Sequence, residues 1–232
     1  MSFIDQLVLF FSFKKKDPQA AVLLKEPPPV LNNQRDAEEY LQKLETKMDS
    51  LASRFAKGGI NRKQFQELYA FYQAETTRLE NYISQNPDSA HWRDVINEGK
   101  SVIIRRRLKA QLLGFSIYSN ISGIPLRTLG RFGLDPAMFL PILHAYQAVT
   151  KETFGAGMRS TEISDGQWLT FMPGCFSTTM ALFTTEPSGE QIRKLTELHK
   201  IFERANEREL VKVKVEPSRL VVPHEFFLKH PL

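Results

Sequence analysis

A single cysteine, Cys175, stands among the 232 residues, so no disulfide can form within the chain and a cysteine-built structural zinc site is excluded. That usage fits a reducing cytosol better than secretion. Long apolar runs are missing too. Stretches such as Leu7 to Phe11 and Val102 to Ile104 fall far short of the roughly 20 residues that a membrane-spanning helix requires. The chain has no G-x-x-x-x-G-K-[ST] loop, no G-x-S-x-G elbow and no H-E-x-x-H helix, because His224-Glu225 runs on into Phe226-Phe227-Leu228. Gly155-Ala156-Gly157 lacks a third glycine and precedes a strand pattern, which excludes a dinucleotide fingerprint. Cys175 has no base near it in sequence, and His144 and His199 fall on separate helices as packed or capping residues. No catalytic, cofactor-binding or metal-ligating residue is nominated, and the expectation is a protein that is not an enzyme.

What remains is ordinary globular composition, 42% hydrophobic and 25% charged, with a formal charge of +5. The first segment carries Phe3, Leu7, Phe10 and Phe11 and is followed by Lys14, Lys15 and Lys16. A secretory signal has its cations before the apolar stretch, so this order argues against one. Helical spacing within the segment permits either docking on the protein's own core or insertion at an anionic membrane surface, with the lysines reaching head groups. Pro27-Pro28-Pro29 marks an extended linker. The expected organisation is an N-terminal segment and linker over 1–34, a helical hairpin over 35–88, an α/β domain over 89–207 and an extension over 208–232.

Leu41, Leu44, Met48, Leu51 and Phe55 step by three and four, the seam of a coiled coil or helix pair. Gly58-Gly59 ends that helix, and Asn61 with Gln64 three residues later has the spacing of a capping box for a second helix, which Asn86-Pro87-Asp88 ends. The run from Leu44 to Leu51, Gly58-Gly59-Ile60-Asn61 and Phe65 resembles the SHOCT type of short helical module, with Asn61 where that pattern has Thr. The resemblance implies an oligomerisation or docking element.

After a helix near Ser101, Arg105, Arg106, Arg107 and Lys109 form a basic patch with no aromatic residue interleaved, which reads as a solvated helix end; nucleic acid is not an expected partner. Leu112 to Tyr118 reads as a strand returning through Leu126 to Leu129, and a helix starting at Asp135-Pro136 follows. Three strands are expected over 158–163, 167–172 and 176–184. Asp165-Gly166 forms one hairpin turn and Pro173-Gly174 the other, and the last strand is central because it is apolar on both faces. A helix opens after Glu186-Pro187-Ser188, and Leu210 to Val215 alternates like a further edge strand.

This order, carried by Gly114 to Tyr118, the Ser122-Gly123 turn, the Asp165-Gly166 hairpin and the Phe176 to Phe183 strand running into the last helix, resembles the roadblock/dynein light-chain family and, more broadly, profilin-like and longin folds. The resemblance implies an α+β fold with a five-stranded antiparallel sheet between helices. It further implies a cytoplasmic homodimer that binds or modulates a small Ras-like GTPase as a non-catalytic scaffold, without a cofactor. In such domains the middle helix and the strand after it pair across a two-fold axis, which here involves Ile142, Tyr146, Val149, Met158 and Ile163. The alternative function is a peripheral adaptor at the inner face of a membrane, held by the first sixteen residues.

Overall fold

The computed structural model describes residues 34–85, 99–134, 141, 160–212 and 214–225. Among these residues are four α-helices and a five-stranded antiparallel sheet, an α+β fold. The helices are α1 (Gln34–Ala56), α2 (Arg62–Gln85), α3 (Gly99–Arg107) and α4 (Gly189–Leu210); the strands are β1 (Leu112–Ser119), β2 (Pro125–Gly130), β3 (Ser160–Glu162), β4 (Trp168–Pro173) and β5 (Ser177–Phe183). The chain divides into two compact units. One holds Glu67–Arg107 and the helical residues before Leu51; the other holds Leu51–Gln66 and everything from Leu108 onward.

In the first unit the most buried positions of α1 are Ala37, Tyr40 and Leu44, so the seam begins earlier than the expected Leu41. On α2 the stripe runs Leu68, Tyr72, Glu75, Leu79, spaced four, three and four as one helix face demands. A glutamate occupies one of those positions because Arg78 reaches it at 2.7 Å, and a buried carboxylate is tolerated when paired.

The turn between α1 and α2 belongs to the second unit. Asn61 and Gln64 form the reciprocal cap their spacing predicts: Gln64 N–H donates to Asn61 Oδ1 at 2.8 Å and Asn61 N–H donates to Gln64 Oε1 at 3.1 Å. Gly58 has φ +73, the left-handed conformation that glycine adopts without strain. It is also a close-approach site, since a Cβ there would lie 3.1 Å from Gly189 Cα. Phe55 stacks on Phe65 across the turn, with centroids 4.7 Å apart.

The sheet order is β2-β1-β5-β4-β3. β5 is central and buried at every residue, as its two-faced apolar pattern requires. Asp165 and Gly166 both take positive φ in the turn before β4. Because side chains alternate along a strand, the sheet presents two cores. Tyr118, Leu169, Phe171 and Met180 lie on one face with Phe132, Leu134 and Ile163 against them. Ile117 and Leu126 lie on the other, with Phe202 and Leu210 of α4 and with Phe176, Val215, Leu220 and Val222.

Among the described residues of 210–215 the expected edge strand does not form. The helix continues to Leu210, Val211 is its helical C-cap, and a 3-10 turn follows at Pro217–Arg219. The buried residues Leu195, Leu198, Phe202, Asn206 and Leu210 are one helical stripe. Burial of Leu210 on that stripe outweighs the local Val-Lys alternation that follows it.

Candidate functional site

A dense polar cluster lies where α4 meets the turn between β4 and β5. That turn is tight: Gly174 N–H donates to Ser177 O at 2.8 Å. Glu203 of α4 organises the rest. Its carboxylate accepts from the backbone N–H groups of Cys175, Phe176 and Ser177 at 2.8, 2.9 and 2.8 Å, and from the Ser177 hydroxyl at 2.9 Å. Position 174 has no room for a side chain, since a Cβ would sit 2.3 Å from the Glu203 carboxylate. The β1–β2 turn joins this structure through Asn120, which donates from Nδ2 to Gly174 O at 2.9 Å and accepts from the Thr178 hydroxyl at 2.7 Å.

One helical turn before Glu203, the buried His199 ring bridges to β5. Nε2 lies 3.2 Å from Ser177 O and Nδ1 lies 2.8 Å from Thr179 Oγ1. A carbonyl can only accept, so Nε2 carries the proton and Nδ1 accepts from the threonine hydroxyl, the neutral Nε2–H tautomer. Burial holds the His199 pKa below its ordinary value, although Glu203, 3.9 Å away, pulls it the other way.

A second histidine lies close by without such partners. His224 is wholly buried, edge-on to Phe115 and Phe202 with centroids 5.1 and 5.6 Å away. Among the described residues neither ring nitrogen has a hydrogen-bond partner. Burial, and then the repulsion a charged His199 would exert, lowers its pKa to about 3. The chain that delivers it is fixed by Asn206, whose Oδ1 accepts from Val221 N–H at 2.7 Å while its Nδ2 donates to Val221 O at 2.7 Å and to Phe202 O at 2.8 Å.

The sequence-predicted sites are distributed differently. Ile142, Tyr146, Val149 and Met158 lie outside the described residues, as do Phe3, Leu7, Phe10, Phe11, Lys14, Lys15 and Lys16. Ile163 is partly buried against the Tyr118 core. Within the basic patch, Arg105 donates to the Tyr72 hydroxyl at 2.7 Å and Arg107 pairs with Glu67 at 3.1 Å, while Arg106 and Lys109 are exposed. Cys175 is a free, exposed thiol.

Sequence reasoning found His199 as a packed helix residue but missed Glu203, Asn206 and His224. The i, i+4 relation of His199 and Glu203 was the available signal. Among the described residues, no group of three or more His, Cys, Asp or Glu could hold a metal ion, and no helix is long and apolar enough to cross a membrane. Comparison with family models, with curated proteins and with solved structures finds no match to this chain.

Proposed function

We propose that this chain is a non-catalytic scaffold that homodimerises through its sheet-bearing unit and binds or modulates a small Ras-like GTPase. The observation that carries the reading is the five-stranded antiparallel sheet with β5 at its centre and α4 across one face, the architecture that the roadblock-like element order implies. The most chemically suggestive groups support it as well, because both His199 nitrogens and the Glu203 carboxylate are engaged in holding turn and strand together. On this reading the protein works in the cytoplasm, where Cys175 stays reduced, and Phe3 to Phe13 with Lys14 to Lys16 give it a hold on an anionic membrane face.

The test is light scattering of the purified full chain beside a pull-down from native lysate read by mass spectrometry. A dimer that recovers a small GTPase is expected, and Tyr146→Asp, which places a charge on a self-complementary patch, is expected to give monomers. A monomeric wild-type chain that recovers no GTPase would overturn the reading. For the membrane contact, deletion of residues 1–16 is expected to abolish flotation with anionic liposomes.

A further inference from the structure

The tail after α4 is anchored in two ways of opposite chemistry. Asn206 grips the backbone of Val221 by its N–H and its carbonyl, and His224 fills an aromatic slot between Phe115 and Phe202 as a wholly buried ring with neither nitrogen hydrogen-bonded among the described residues. A buried polar ring that makes no hydrogen bond weakens the docked state relative to an apolar ring of similar size. Phenylalanine would fill such a slot without that penalty. What imidazole adds is a proton-binding site reachable only when the tail leaves.

We propose that His224 is a proton-released latch: the segment from Lys214 to Glu225 docks over the α4 side of the sheet while His224 is neutral, and protonation of the released ring holds the segment off. Release uncovers apolar surface at Ile117, Leu126, Phe202 and Leu210, against which Val215, Leu220 and Val222 pack in the docked state. The inference stands independently of the scaffold reading.

Of the tail's own charges, Lys212 pairs with Glu209, Arg219 pairs with Glu216 at 2.7 Å, and Lys214 is exposed. A proton on His199 of α4 would disfavour a second one on His224, and Glu203 beyond it is held by the 175–177 turn. Glu225, next in the chain, pairs with Arg127 of β2 at 2.9 Å. β1 and β5 carry no charged residue.

Between its docked value of about 3 and its ordinary 6.5, only the released His224 binds the proton, so falling pH favours release. From pH 7.5 to pH 5.0 the released fraction rises about thirtyfold. The experiment is hydrogen exchange by NMR on the full chain, following the amides of Val221 and Glu225 against those of β5, each corrected for its intrinsic exchange rate at both pH values. The expected result is about thirtyfold more frequent opening of the tail at pH 5.0, with β5, which opens only with the whole fold, remaining better protected than the tail, and no such rise in His224→Phe. His224→Leu serves the same purpose if the phenylalanine variant does not fold. Unchanged tail opening in the wild type would overturn the latch, and so would a pH response that persists in either variant.

Discussion

Glu203 satisfies four donors with one carboxylate, so its loss strands several N–H groups in a partly buried turn. Hydrogen bonds to a charged acceptor contribute about 1.5–3 kcal/mol, and Glu203→Ala is expected to cost about 3 kcal/mol in urea unfolding. Glu203→Gln should cost less, because one amide oxygen still accepts. Gly174→Ala drives a methyl into the same carboxylate and is expected to cost about 1–3 kcal/mol. Legibility at this scale divides by distance along the chain. The cap of Asn61 on Gln64 could be read because both partners lie within four residues. The His199–Thr179 bond could not, since it spans 20 residues and depends on which strand lies under α4. His224 gave no signal at all: it sits in a proline-flanked tail with no hydrophobic period, and its burial arises only when Phe115 and Phe202 have come together.

The helices and strands were legible in outline, because periods of 3.6 and 2 leave plain marks in the order of apolar residues. Where the reading failed, at Leu210 to Val215, two periods competed, and the helix stripe prevailed because it already had a sheet to bury against. The turn between α1 and α2 shows a second way in which an element exceeds its local pattern. Asn61 caps α2, but its amide also donates to Leu108 O at 2.9 Å and Glu186 O at 2.7 Å. A threonine, which the SHOCT-like pattern has at this position, could cap and could not make both of those bonds. Asn61→Ala is therefore expected to cost about 2–3 kcal/mol against about 1 kcal/mol for an ordinary cap. Asn61→Thr should fall between alanine and the wild type. Urea midpoints of the three proteins rank them, and a threonine variant as stable as the wild type would remove the long-range bonds from the account.

For the molecule as a whole, two histidines held neutral by burial make acid a destabilising agent. Both have pKa values below the ordinary 6.5 when folded, so unfolding takes up protons once the pH falls below that value, and stability declines as pH decreases. Above 6.5 neither contributes. His224, with its folded value of about 3, contributes up to about 1.4 kcal/mol per pH unit, and His199 acts in the same direction. Urea unfolding at pH 7.5, 6.0 and 5.0 should show it, and His224→Phe should make the slope shallower. The glycine turn carries a different consequence, one of timing. Glu190 N–H donates to Gly58 O at 2.8 Å, and Arg193 reaches Lys57 O across 136 positions of the chain. During synthesis α1 and α2 emerge early, yet the turn between them acquires these partners only after residue 193 has been made. Closing so large a loop is slow, so the hairpin's own turn is among the last parts of the protein to be completed.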